Sequence, residues 1–196
     1  SYSMSSDGSY GNDIDKKLEA GLMRVLVVGA GGREHALCWT ISGSPLVEKL
    51  WCAPGNSGIS QDAECVDIEV EDIDTLVGFC TENAVDLVVI GPEAPLVMGL
   101  ADRLREKNIR AFGPSADAAI LEGSKGYMKD LCARYKIPTA EYERFKEAGP
   151  AKKFIDTRGT PIVVKADGLA AGKGVIICET AAQAYQAVDD MLKGRT

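Results

Sequence analysis

Residues 161–175, Pro-Ile-Val-Val-Lys-Ala-Asp-Gly-Leu-Ala-Ala-Gly-Lys-Gly-Val, place two lysines and three glycines directly behind an apolar run. Glycine lets a backbone fold its N–H groups towards phosphate oxygens, and lysine ammonium groups offset the phosphate charge. Gly168, Leu169, Ala170, Ala171, Gly172, Lys173 and Gly174, with Lys165 pointing inward from the strand before them, therefore read as a loop folded over nucleotide phosphates. This is not a Walker A loop. Three residues separate Gly168 from Gly172 where that motif needs four, Gly174 stands where Ser or Thr should hold magnesium, and a strand follows where a helix is required. An ordinary flexible hairpin is the alternative, but it rarely combines these residues. A further cation precedes this loop in sequence: Ser124 is placed to cap a helix, which puts Lys125 in the first turn. Lysine there opposes the helix dipole, so Lys125 is expected to serve a ligand, whereas Lys129, on the same face, reads as a solvated residue.

A second group lies nearer the start. Gly31, Gly32, Arg33, Glu34 and His35 follow an apolar strand and open a helix, an arrangement that favours an anion at the free N–H groups. The dinucleotide fingerprint would need glycine where Glu34 stands, and the second strand ends in Cys52-Ala53-Pro54 without a ribose-binding acid, so a nicotinamide dinucleotide is disfavoured. A substrate phosphate or sugar fits the turn. So does a plain strand-to-helix connection whose first-turn glutamate contributes about 0.3–1 kcal/mol. His35, taken by itself, reads as a helix-start residue. Glu93, in the stiff Gly91-Pro92-Glu93-Ala94-Pro95 loop, is placed either to accept from a ribose hydroxyl or amine or to cap the next helix. Ala53–Gly58 reads first as a turn on the same rim.

The elements that must carry these residues follow from the apolar pattern. Strands are expected at 24–28, 49–52, 65–68, 86–90 and 110–112, with helices near 34–41, 73–82 and 96–107. Strands apolar throughout, alternating with helices, predict an α/β fold with a doubly wound parallel sheet, Rossmann-like, and ligands at the carboxyl ends of its strands. After Gly113-Pro114 the pattern changes. Helices at 116–122 and 125–135, a strand at 141–145, a helix at 151–157, strands at 162–165 and 175–178, and a helix at 181–192 describe an α+β unit with too few strands to bury a sheet face. The expected organisation is a mobile leader over residues 1–22, native or appended, a substrate domain over 23–122, and an incomplete second domain over 123–196.

Composition narrows the classes further. A net charge of −7 argues against a general nucleic-acid binder. No secretory h-region and no apolar run of about 18 residues is present, so neither an export signal nor a membrane span is expected. The six cysteines form no CxxC pair and His35 is the sole histidine, which disfavours structural zinc and histidine-based nucleophilic catalysis. A cytoplasmic protein with reduced thiols, acting by charge and positioning, is the expectation.

Together, residues 25–37, 53–59, 91–96, 112–125, 137–142 and 161–175 resemble, in order, the ATP-grasp ligases and, within them, the phosphoribosylamine–glycine ligase family. The resemblance covers nearly all of residues 23–196 and makes the second unit the beginning of an ATP-grasp domain. It implies ATP-dependent joining of glycine to 5-phosphoribosylamine in purine biosynthesis, through a glycyl phosphate. It implies that Lys125, Lys165 and residues 168–174 contact ATP phosphates, and that Gly31–His35 and Glu93 face phosphoribosylamine. Magnesium or manganese is implied as well, with its ligands beyond residue 196, so that the fragment alone is expected to be inactive. Another ATP-grasp carboxylate–amine ligase, or a non-catalytic nucleotide-binding module, stays open at this point.

Overall fold

The computed structural model describes residues 21–168 and 174–193. The expected leader, apart from Gly21 and Leu22, lies outside them. The chain divides into two compact units, residues 1–118 and 119–196.

The first unit is a five-stranded parallel sheet in the order β3-β2-β1-β4-β5. Its strands are β1 (Met23–Gly29), β2 (Val47–Pro54), β3 (Glu64–Cys65), β4 (Leu87–Ile90) and β5 (Arg110–Phe112). Helices α1 (Gly32–Ser42), α2 (Ile73–Glu82), α3 (Glu93–Val97) and α4 (Leu100–Glu106) connect them. The run Val25-Leu26-Val27-Val28 is buried on both sides because successive side chains face opposite helix layers. Val25 and Val27 pack with Cys38 of α1, Cys52, Ile59 and Val89. On the other face Trp51 meets Phe79 of α2 edge-on, with ring centroids 5.6 Å apart. The expected doubly wound sheet is present, and strand order reverses between β1 and β4.

Two elements differ from expectation. The third strand is cut to Glu64–Cys65, because the Ile68 N–H donates to the Val66 carbonyl (2.8 Å) and curls the chain out of the ladder. The single helix expected over 96–107 is two, α3 and α4, parted at Gly99, whose φ of +87° is the left-handed conformation that interrupts a helix. Asp102 of α4 accepts from the N–H of Ala116 (2.7 Å), fixing the start of α5 (Ala116–Gly123).

The second unit contains α6 (Lys125–Tyr135), α7 (Ala148–Arg158), an antiparallel pair β6 (Ile162–Lys165) and β7 (Val175–Cys178), and α8 (Ala181–Lys193). Its core is small: Ala151 and Ile155 of α7, Cys178, and Ala184, Ala187 and Val188 of α8, with Ile162 and Val164 packed against them. Lys152 of α7 donates to Asp189 of α8 at 2.8 Å. The strand expected over 141–145 does not form. That segment is held by side chains instead: Tyr142 donates to Asp130 (2.6 Å), Arg144 pairs with Asp130, and Arg158 pairs with Glu141. Such bonds hold the segment without a backbone ladder, so its two aromatic residues, Tyr142 and Phe145, belong to no sheet.

Candidate ligand sites at two strand ends

In the first unit, β1 ends at Gly29 (φ +136°), and Gly31 stands at the N-cap of α1. Glycine is required here for a reason beyond turn geometry. Glu34, from the first turn of α1, folds back so that its Oε2 accepts the Gly31 N–H at 2.8 Å and its Oε1 accepts from Arg33 Nε at 2.9 Å. Only 4% of Glu34 is exposed. A Cβ at Gly29, Gly31 or Gly91 would stand 2.4, 2.9 or 2.1 Å from this side chain. The carboxylate is thus threaded beneath three glycines contributed by β1, the turn and the end of β4. Expected as a ligand contact, Glu34 is the internal floor of the turn, and Arg33 is the exposed group above it.

Arg33 Nη1 stands 3.8 Å from Glu93 Oε1, so β1 and β4 bring the two side chains together where strand order reverses. Helix geometry leaves the N–H groups of Gly32 and Arg33 without intrahelical partners at the same place. His35 Nε2 lies 3.3 Å from Asp62 Oδ2, tying α1 to the segment after β2. Asn56, which reads in sequence as one residue of a turn, is more than that. Its Nδ2 donates to the Ala30 carbonyl (2.8 Å), while its Oδ1 accepts from Gly58 N (2.8 Å) and Ile59 N (2.9 Å). It pins the loop after β2 to the glycine turn after β1. Nothing in the spacing marks it, because its partner lies 26 residues away. Beneath, the Cys52 thiol donates to the Gly29 carbonyl (3.3 Å). Its hydrogen bond with Cys38, together with burial, pushes it far above the ordinary thiol range, so it stays a neutral donor.

The second unit assembles a different site. Ala166 N–H donates to the Gly174 carbonyl (2.8 Å), closing the base of the β6–β7 connection. Leu169, Ala170, Ala171, Gly172 and Lys173 lie outside the described residues. Gly168, with φ +90°, turns the chain directly after Asp167. Ser124 caps α6 as expected, accepting from Tyr127 N–H at 3.1 Å. Lys125 Nζ donates to the Gly168 carbonyl at 2.7 Å, so the first turn of α6 and the start of the glycine-rich stretch meet. Asp167, unremarked in sequence, is central: its Oδ1 accepts from Gly126 N–H (3.1 Å) and Gly168 N–H (2.9 Å), and its carboxylate takes the Ser124 hydroxyl at 3.3–3.4 Å. Partial desolvation pushes this carboxyl up, but the N–H groups of Gly126, Gly168 and Lys125 and the Ser124 hydroxyl together hold it below the ordinary aspartate value.

Lys165 departs from expectation. The strand carrying it is half exposed, with Ile162 and Val164 turned to the helices and Val163 and Lys165 to the open face. Among the described residues its side chain makes no hydrogen bond or ion pair, while its backbone pairs with Val175. Lys129 is not a solvated residue either: its Nζ donates to Thr139 Oγ1 (2.6 Å) and the Ala140 carbonyl (2.8 Å). Among the described residues no three His, Cys, Asp or Glu side chains gather as metal ligands, and no helix is long and apolar enough to cross a membrane.

A domain model described as phosphoribosylglycinamide synthetase, N domain, matches residues 23–122, and one described as phosphoribosylglycinamide synthetase, ATP-grasp (A) domain, matches residues 123–196. The chain belongs to this family. It is 59% identical over 172 residues to the phosphoribosylamine–glycine ligase of Agrobacterium fabrum, a match spanning 88% of this chain and 41% of that protein. The crystal structure of phosphoribosylamine–glycine ligase from Thermotoga maritima superposes with a TM-score of 0.64 at 32% identity, over 83% of this chain and 38% of that one. N5-carboxyaminoimidazole synthase from Aspergillus clavatus, in complex with ADP and 5-aminoimidazole ribonucleotide, shares the fold at 19% identity with a TM-score of 0.64, over 88% of this chain and 44% of that one. The chain spans about two fifths of the length of these curated relatives.

Proposed function

We propose that this chain supplies the phosphoribosylamine face and part of the ATP site of an enzyme that ligates glycine to 5-phosphoribosylamine, giving glycinamide ribonucleotide, ADP and phosphate. In this reading residues 23–122 form the substrate domain and residues 123–196 the start of the ATP-grasp domain. The observation that carries it is the meeting of Lys125 with Gly168 at the mouth of a glycine-rich connection, inside a family whose relatives bear that activity in their names.

An ionised carboxylate is a poor acyl donor, so glycine is first phosphorylated by ATP, and the amine then attacks the acyl carbon and expels phosphate. Lys125 and Lys165, with Gly168, Leu169, Ala170, Ala171, Gly172, Lys173 and Gly174, hold the ATP phosphates and offset charge on the transferred group. Gly32 and Arg33 present N–H groups, and Arg33 its guanidinium, to the ribose phosphate, with His35 beside them and Gly31, whose own N–H is held by Glu34, turning the chain beneath. Glu93 accepts from the ribose or the amine, and Glu34 contributes through the turn it supports. The nucleotide and ribonucleotide bound by the Aspergillus neighbour fit this division of labour. Magnesium is implied by the family. The described residues bring together no carboxylate cluster that fits it.

The test is ADP release by the protein expressed from its whole reading frame, or the reverse reaction from glycinamide ribonucleotide. Turnover is expected to require both glycine and phosphoribosylamine, and residues 1–196 alone are expected to show none. Turnover with a different carboxylate and none with glycine would assign the chain to another ATP-grasp ligase. ATP binding with no turnover by the whole protein would make it a nucleotide-binding module.

A further inference from the structure

We propose that Asp167 is a positioning residue that locks the helix carrying Lys125 to the strand carrying Lys165, and so sets where the two cations meet the phosphates of ATP. This rests on the reading of Lys125 and Lys165 as phosphate ligands.

The two lysines are 40 residues apart and sit on different elements, a helix start and a strand end. A pair of cations grips a polyphosphate only when their separation is fixed, since each mobile side chain ordered on binding costs affinity. Asp167 supplies the fixation. One carboxylate oxygen joins Gly126 N–H of α6 to Gly168 N–H of the connection after β6, and the same group takes the Ser124 hydroxyl. Ser124 in turn caps α6 through Tyr127 N–H. Lys125 completes the junction by donating to the Gly168 carbonyl, so the backbone of residue 168 is held through both its N–H and its C=O. The hydrogen bonds from these N–H groups and the Ser124 hydroxyl hold the Asp167 carboxyl below the ordinary aspartate value, which favours the charged acceptor. A serine already satisfies the cap, so a second acceptor from the connection after β6, 43 residues on, is not needed to start the helix. Its bonds instead join two elements that the flexible Lys125 side chain also bridges.

A residue that acts only as a cap would lower stability without caring what Lys125 does. One that positions Lys125 should lose its effect once Lys125 no longer reaches phosphate. The experiment is a double-mutant cycle on MgATP affinity, measured by calorimetry on the protein expressed from its whole reading frame, with Asp167→Ala, Lys125→Met and both together. Asp167→Ala is expected to raise the MgATP Kd about tenfold or more in the parent, and by no more than about twofold in the Lys125→Met background. Asp167→Asn keeps an acceptor for both N–H groups and should restore most of the affinity. Should Asp167→Ala fail to fold, Asp167→Ser, which shortens the side chain but keeps a hydroxyl acceptor, carries the same cycle. An equal loss in both backgrounds, or no loss in either, overturns the positioning role while leaving the ATP site in place. If Lys125→Met by itself leaves MgATP affinity unchanged, the phosphate reading of Lys125 falls, and this proposal falls with it.

Discussion

The two units bury their sheets to very different degrees. In the first, the sheet is covered by α1 on one face and meets α2 on the other through Trp51 and Phe79, and Leu26 is fully buried. In the second, β6 and β7 cover one face with α7 and α8 and leave the other open, with Val163 47% and Ile177 68% exposed. The cores differ in kind as well: valine, leucine and tryptophan in the first, alanine-rich helices in the second. Ligand groups differ in the same sense. The turn after β1 rests on a carboxylate enclosed by three glycines, whereas the β6–β7 connection is held by an exposed aspartate at its base. A site in the first unit is therefore held by packing, and a site in the second by a few hydrogen bonds that single substitutions can remove.

Three substitutions probe that contrast. Both tryptophans, Trp39 and Trp51, belong to the first unit, so their fluorescence reports its unfolding alone. Leu26→Ala should destabilise the first unit by about 2–5 kcal/mol in urea titrations followed at tryptophan, because the cavity cannot collapse between two helix layers. A loss under about 1 kcal/mol would mean the enclosed sheet is not the stable part. Gly91→Ala should cost about 1–3 kcal/mol, since its Cβ would meet Glu34 Oε1 at 2.1 Å and displace a carboxylate bonded to Gly31 and Arg33. Most of that cost should vanish in a Glu34→Ala background, and strict additivity of the two changes would separate Gly91 from Glu34. Ile177→Asn, on the open face of β7, should change stability by no more than about 0.5 kcal/mol, read from hydrogen exchange of β6 and β7 amides. A cost comparable to that of Leu26→Ala would show that something covers this face in solution.

Much of this was legible in residue patterns because the interactions responsible are local. The apolar run after Met23, the alternation of strands and helices, the Ser124 cap and the β6–β7 pair all follow from propensity and period, which act over a few residues. The same logic failed at 141–145, where side-chain bonds to α6 replace a ladder, and at Gly99, where one left-handed residue divides a helix. Sequence alone therefore determined the class of fold and the glycine- and lysine-bearing segments that mark the family. Only the tertiary structure decided which of those segments meet. It turned Glu34 inward beneath Gly29, Gly31 and Gly91, made Asn56 the strut between two loops, placed Lys165 on an open face, and brought Asp167 onto the start of α6. Each depends on a partner distant in the chain or on the direction a side chain takes, and periodicity holds no record of either.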